Sequence, residues 1–230
     1  MADETPLSVY EPEGQAKGGV LVLQEAFGVT GHIEDVGRRL AAAGWLAVIP
    51  HLFHRVGDPT FHDDDLAGAW PVVEGLTPEG ILDDLDTGFA RIDAAGIAPE
   101  GTGVVGFCVG GTLAFMAATE RTLGAAVTFY GGGVIEGRLG YPPLLEMAER
   151  LDAPWLGLYG EDDKGIPPSD VEALRKAVAA TAVPTEVVLY PGAGHAFNRD
   201  GSAAYHAPSA TDAWARTLAW FDRYLTAWPT

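Results

Sequence analysis

Residues 104–111 read Val-Val-Gly-Phe-Cys-Val-Gly-Gly, a short apolar run that ends at a cysteine with a glycine two positions away on either side. Residues 112–118 continue as an apolar stretch typical of a helix. Glycines at these positions let a strand turn sharply into a helix, because side chains there would collide with the turn. The pattern predicts a nucleophile elbow with Cys108 at its tip. The alternative is a structural cysteine buried in a glycine-rich turn.

The predicted elbow places Cys108 at the amino end of a helix. Backbone amides and the helix dipole favour negative charge at that position, and they also favour the thiolate form of a cysteine. The amide of Val109 would face an oxyanion formed beside the sulfur. We therefore predict that Cys108 is a nucleophile and that Val109 is an oxyanion-hole donor.

Strand-like and helix-like stretches alternate along the 230 residues. Strands are predicted at residues 7–10, 19–23, 45–50, 104–107, 124–130, 154–159 and 185–190. Helices are predicted at residues 32–43, 78–95, 112–118, 143–151, 169–180 and 210–225. This alternation is typical of a single α/β domain with a mainly parallel, twisted sheet and helices on both faces.

Residues 51–78 are rich in Asp, Gly, Pro and His, and we predict an irregular segment that covers the functional edge of the sheet. His51, His54 and His62, together with the acidic residues 63–65, could be interpreted as metal ligands. Their spacing matches no defined metal site, and loop residues of these types are usually solvated. We therefore predict neither a metal nor a cofactor.

The charge balance limits the possible partners, since 32 acidic residues oppose 14 basic ones and give a formal net charge of −18. Such a charge disfavours binding to nucleic acid and to anionic membranes. One cysteine allows no internal disulfide and fits a reducing compartment. The first twelve residues contain no long apolar run, so we expect a cytoplasmic protein. The oligomeric state is undetermined, with a monomer slightly favoured.

Three residues occur in the chain order of a catalytic triad: Cys108, an acid, and His195. Each follows a predicted strand, and the carboxyl ends of parallel strands share one edge of the sheet. His195 would act as the base that deprotonates the thiol, and a carboxylate would orient its ring. Asp163 is the preferred acid, with Asp162 as the alternative. These aspartates could instead cap a helix or a turn.

The chain resembles the dienelactone hydrolase family in four motifs. They are Gln-Glu-Ala-Phe-Gly at 24–28, Gly-Phe-Cys-Val-Gly-Gly at 106–111, Gly-Glu-Asp-Asp before Ile-Pro at 160–167, and Gly-His-Ala-Phe at 194–197. The likeness covers residues 19–224. It implies an α/β-hydrolase fold and hydrolysis of dienelactone, a carboxymethylenebutenolide, to maleylacetate.

The resemblance also implies roles for single residues. Cys108, His195 and Asp163 match the family triad. Glu25 matches an additional acid that lies against the thiol in the resting enzyme, and a carboxylate at the end of an apolar strand is itself a functional signal. The backbone of Ala26 matches the second oxyanion donor. The substrate contacts that the resemblance implies are Arg199, Tyr130 and Phe27. As an aromatic residue at a strand end, Tyr130 could instead be a packing residue.

One departure from the family bears on the substrate. The resemblance implies that Arg199 binds the substrate carboxylate and that a second arginine, in the segment that covers the site, binds it too. The only arginine between residues 50 and 86 is Arg55, which is not a convincing match. The main hypothesis is hydrolysis of a dienelactone-like lactone or ester through a cysteine acyl-enzyme. One alternative is a carboxylesterase or thioesterase for a less charged substrate. An alternative of another class is a non-catalytic binding protein or a thiol redox sensor.

Overall fold

The computed structural model describes residues 4–225, which form a seven-stranded sheet flanked by helices. The strands are β1 (Leu7–Tyr10), β2 (Gly19–Leu23), β3 (Leu46–Pro50), β4 (Thr102–Phe107), β5 (Ala125–Phe129), β6 (Trp155–Gly160) and β7 (Thr185–Tyr190). Their order is β1-β3-β2-β4-β5-β6-β7. Every neighbouring pair is parallel except β1 and β3, which are antiparallel.

The helices are α1 (Gly31–Ala42), α2 (Leu66–Glu74), α3 (Pro78–Asp93), α4 (Val109–Glu120), α5 (Leu144–Met147), α6 (Pro168–Val178) and α7 (Ala207–Tyr224). Apolar side chains of α3, α4 and α6 pack on one face of the sheet. Those of α1 and α7 pack on the other face. None of the helices within residues 4–225 has both the length and the apolar character needed to cross a bilayer.

The centre of the sheet is β4, which lies between β2 and β5. All residues of these three strands are buried, as expected for parallel strands covered on both faces. The helix that follows β4 is buried at residues 109–118. The turn from β4 into α4 therefore joins two buried elements, with the partly exposed Cys108 between them.

The predicted alternation of strands and helices is confirmed, with element ends that differ by a few residues. The prediction that residues 51–78 are irregular was wrong in part. A short 3-10 helix occupies His54–Val56, and α2 occupies Leu66–Glu74. The Asp65 carboxylate caps α2 by accepting a hydrogen bond from the amide of Gly68. This helix is short and contains Pro71, so its sequence carries only a weak helical signal.

Residues 51–78, which we call the cover segment, are fixed at their start by the buried carboxylate of Asp84 in α3. This carboxylate accepts hydrogen bonds from the Thr5 hydroxyl at 2.6 Å and from Nη1 of Arg55 at 2.8 Å, and Nε2 of His54 lies 3.0 Å away. A buried carboxylate requires such partners to offset its desolvation. Asp84 therefore joins the amino-terminal strand and the cover segment to α3.

The three cover-segment histidines have separate partners. His51 contacts Ser8 and Asp58, and His54 contacts Asp84. His62 is exposed and lies beside Asp63 and Asp64, with one ligand atom of each within 4.8 Å of the others. The three histidines therefore do not converge on a common centre.

Replacing Gly106 with alanine should lower the free energy of unfolding by about 3 kcal/mol or more. The added Cβ would lie 1.8 Å from the carbonyl oxygen of Gly110, and two backbone segments cannot yield as a side chain would. Urea unfolding followed by circular dichroism measures the change.

Gly31→Ala is the matched control, because a Cβ at the first residue of α1 meets no atom within 4 Å. Its free energy of unfolding should stay within about 0.5 kcal/mol of the wild type. Equal stabilities for the two variants would contradict the close approach of Gly106 to Gly110.

Candidate active site

Cys108 occupies the turn between β4 and α4 in a conformation that is rare for a non-glycine residue, with φ 54° and ψ −114°. Two hydrogen bonds hold the turn. The Cys108 amide donates to the carbonyl of Phe129 at 3.1 Å, and the Gly110 amide donates to the carbonyl of Gln24 at 3.0 Å. A Cβ at Gly110 would lie 2.3 Å from the carbonyl oxygen of Leu23. The ends of β2 and β5 therefore fix the strained backbone that presents the thiol.

His195 lies in the loop after β7, and its Nδ1–H donates to Oδ2 of Asp163 at 2.7 Å. The other carboxylate oxygen of Asp163 accepts from the amides of Gly165 at 2.8 Å and Ile166 at 3.2 Å. Asp163 is buried, whereas the neighbouring Asp162 is exposed. Of the two aspartates that the sequence left open, Asp163 is the one that contacts His195.

The imidazole of His195 also forms a hydrogen bond with the thiol of Cys108. Burial alone would lower the pKa of His195. The hydrogen bonds to Asp163 and Cys108, together with the negative charges of both groups, outweigh burial and raise this pKa to about 10. His195 therefore holds its proton at neutral pH.

The raised pKa of His195 links protonation to folding. The folded-state pKa of about 10 exceeds the value of 6.5 for an unperturbed histidine. The protonated form therefore stabilises the fold fully below the unfolded pKa, and this contribution is lost as the pH rises through the folded pKa.

Val109 and Ala26, the predicted oxyanion-hole residues, are both buried. Within residues 4–225, neither backbone amide donates a hydrogen bond to another protein group. Buried amides without partners are uncommon in proteins. Two such amides, one next to Cys108 and one next to Glu25, have the character needed to bind an oxyanion.

Glu25 and Arg199 form a buried ion pair beside this edge of the sheet. Nη1 of Arg199 lies 3.4 Å from Oε2 of Glu25, and both side chains are more than nine-tenths buried. The hydroxyl of Tyr130 donates to Oε1 of Glu25 at 3.3 Å. The guanidinium of Arg199 also lies over the ring of Phe27, 4.4 Å from its centroid. The positive charge of Arg199 is therefore balanced within the protein.

The structure gives Glu25 and Tyr130 partners that the sequence did not reveal. The carboxylate of Glu25 contacts Arg199 and Tyr130, while its expected place against the thiol stays a prediction. A guanidinium is a stronger partner for a buried carboxylate than a thiol. Tyr130, for which the sequence left pocket lining and packing both open, is fully buried. The centroid of its ring lies 5.0 Å from that of His195, and burial raises the pKa of its hydroxyl. Tyr130 therefore supports His195 and Glu25 from within the protein interior.

Sequence analysis missed His32, the second residue of α1. Its ring lies edge-on to Phe107 at 5.8 Å, and burial is the main cause of its lowered pKa, opposed by the charge of Glu25. His32 is therefore neutral at physiological pH. A histidine four residues after the Gln-Glu-Ala-Phe-Gly motif was the available signal. Trp70 and Arg138, whose side chains contact each other, were also missed.

The chain was compared with known proteins. A profile described as the dienelactone hydrolase family matches residues 7–225. A protein of Salmonella typhimurium LT2, provisionally named carboxymethylenebutenolidase, is 42% identical over 230 residues, which cover 96% of this chain and 84% of that protein. Carboxymethylenebutenolidase of Rhodococcus opacus is 32% identical over 217 residues, covering 90% and 81% of the two chains.

A crystal structure from Klebsiella pneumoniae, provisionally named dienelactone hydrolase, has a TM-score of 0.87 and 39% identity to this chain. The match covers 96% of this chain and 93% of that one. Together with the mainly parallel sheet, this similarity confirms the predicted α/β-hydrolase fold.

Replacing Cys108 with alanine should lower the pKa of His195, because the hydrogen bond and charge of the sulfur contribute to its rise. The imidazole resonances of His195, followed by NMR as a function of pH, measure this change. His62 serves as an internal reference, because Asp64 and Asp63 raise its pKa and Cys108 does not contribute. An unchanged His195 titration would show that the thiol and the imidazole do not interact.

Proposed function

Since the chain belongs to the dienelactone hydrolase family of ester hydrolases, we propose that it hydrolyses a small lactone or ester through a Cys108 acyl-enzyme. The observation that carries this proposal is the hydrogen-bonded series from Cys108 through His195 to Asp163. The three residues follow the ends of β4, β7 and β6. A nucleophile, a base and an orienting acid are the groups that acyl transfer needs.

Acylation begins with attack of the Cys108 sulfur on the carbonyl carbon of the substrate, which forms the C–S bond. The amides of Val109 and Ala26 bind the resulting oxyanion. One such donor contributes about 3 kcal/mol to transition-state stabilisation in known hydrolases. The tetrahedral intermediate then breaks its bond to the leaving oxygen, which takes the proton held by His195. The leaving group departs as an alcohol or an enol, and the acyl group stays on sulfur.

Deacylation reverses the role of His195. Once the thiolate has been acylated, its negative charge no longer supports the imidazolium, so the neutral imidazole can accept a proton from water. The hydroxide formed in this way attacks the thioester carbonyl, and the C–S bond breaks. The carboxylic acid leaves, and Cys108 and His195 regain their resting charges. Asp163 keeps the ring oriented in both steps.

The Glu25–Arg199 pair supports the same site as a positioning element. Arg199 lies over Phe27, and Tyr130 joins Glu25 to the ring of His195. Glu25 adjoins Ala26, so the pair fixes the backbone that would carry the second oxyanion donor. We infer that the buried charges hold this turn in place, and that Arg199 can bind an anionic substrate group only by releasing Glu25.

Cys108→Ala should reduce kcat/KM for para-nitrophenyl acetate by on the order of 10³-fold or more, because the nucleophile is lost. Peptide mapping by mass spectrometry of the wild type, quenched during turnover, should show one added acetyl group on the peptide that contains Cys108. The same peptide from Cys108→Ala should carry no acetyl group, which assigns the label to the only cysteine of the chain.

Asp162→Ala is the matched control for the role of the acid, since Asp162 is exposed and adjoins Asp163. It should retain activity, whereas Asp163→Ala should lose it. Full hydrolysis by Cys108→Ala would overturn the acyl-enzyme proposal. A thiol that reacts with peroxide in a protein that turns over no ester would favour the redox-sensor alternative.

A further inference from the structure

Arg138 lies in the loop between β5 and α5, and its guanidinium stacks on the ring of Trp70, 5.1 Å from the centroid. Within residues 4–225 it forms no ion pair, although acidic residues outnumber basic ones by more than two to one. An aromatic ring orients a guanidinium and leaves its N–H edge free for a planar anion. Arg138 is therefore a pre-oriented cation without an anion.

Two glycines, Gly132 and Gly133, leave the space that the Arg138 side chain occupies. A Cβ at Gly132 would lie 2.6 Å from Nη1 of Arg138, and a Cβ at Gly133 would lie 3.0 Å from its Cδ. Any larger residue at these positions would displace the arginine. The backbone of this loop therefore accommodates Arg138 closely, as Trp70 does from the other side.

One of these glycines, Gly132, joins the loop that carries Arg138 to the helix that follows Cys108. The carbonyl of Gly132 accepts a hydrogen bond from the Thr112 hydroxyl at 2.9 Å, and Thr112 belongs to the first turn after Cys108. On its other side, Gly132 packs near Ile166, whose amide donates to Asp163. Trp70 belongs to α2 in the cover segment. Arg138 thus contacts the cover segment through Trp70, and it contacts a glycine whose neighbours are Thr112 of α4 and Ile166.

The other arginines near this edge are already matched by carboxylates. Arg199 is buried against Glu25, and Arg55 of the cover segment pairs with Asp84. Arg138 therefore supplies positive charge that these pairs do not cancel. A substrate with a carboxylate would gain a charge-assisted, two-point contact there.

We propose that Arg138, oriented by Trp70, binds a carboxylate on the substrate and selects anionic esters or lactones over neutral ones. This inference rests on the proposed function, because it names the substrate class of the same site. Arg138 acts in substrate binding and takes no part in the covalent steps.

The test compares charged and neutral esters of the same shape. One pair is para-nitrophenyl hydrogen glutarate and its methyl ester, with the carboxylate on the acyl side. The other pair is para-acetoxybenzoate and its methyl ester, with the carboxylate on the leaving group. Arg138→Ala should lower the charged-to-neutral ratio of kcat/KM by about tenfold or more for at least one pair, chiefly through KM, because a charge-assisted contact is lost.

Arg39→Ala is the matched control. Arg39 also stacks on a tryptophan, Trp214, at 4.0 Å, and it lies in the last turn of α1, toward the opposite edge of the sheet. Its substrate ratio should equal that of the wild type. Arg138→Lys should recover only part of the selectivity, since an ammonium lacks the planar fork.

A ratio that stays the same in Arg138→Ala for both ester pairs, including the case in which neither protein prefers the charged ester, would overturn the proposal. Such a result would leave the acyl-enzyme proposal intact, provided the neutral esters are hydrolysed in a Cys108-dependent reaction. Failure of the wild type to hydrolyse any of the four esters would instead overturn the proposed function.

Discussion

Close backbone contact at one turn determines the rest of the site. Gly106 and Gly110 let β4 and α4 approach within a distance that any side chain would block, and Gly110 also contacts the end of β2. This contact imposes the rare conformation of Cys108. It also places the start of a helix and the turn at residues 25–28 side by side. The proposed nucleophile and oxyanion donors are thus positioned by the main chain, which is stiffer than any side-chain arrangement.

Charge is distributed around this turn in matched pairs. Asp163 supports His195 and is itself held by two amides, while Glu25 is matched by Arg199. Buried charges without partners would cost several kcal/mol each. The pairing leaves His195 protonated, and it leaves the amides of Val109 and Ala26, the proposed oxyanion donors, without internal acceptors among the described residues. In the proposed mechanism, such a resting site is prepared for negative charge on the substrate oxygen.

The sequence predicted those features that depend on local patterns. Continuous apolar runs identified the buried strands, and the glycines around Cys108 identified the turn. Parallel topology predicted that Cys108, Asp163 and His195, which each follow a strand, would share one edge of the sheet. The sequence could not predict which side chains contact each other, because those contacts depend on side-chain geometry across the fold. The contacts of Glu25, the burial of Tyr130 and the meeting of Trp70 with Arg138 all join residues more than sixty positions apart.

The carboxylate of Asp84 has a consequence for how chain length can vary. One buried group accepts hydrogen bonds from both Thr5 and Arg55, so a shift of the segment before β1 and a shift of the start of the cover segment would disturb each other. Further along, the amide of Phe61 donates to the carbonyl of Phe27, which adds a second fixed point. Asp58 is tied to His51 and Asp65 caps α2, so variation in the length of this part of the chain is left to residues 62–64.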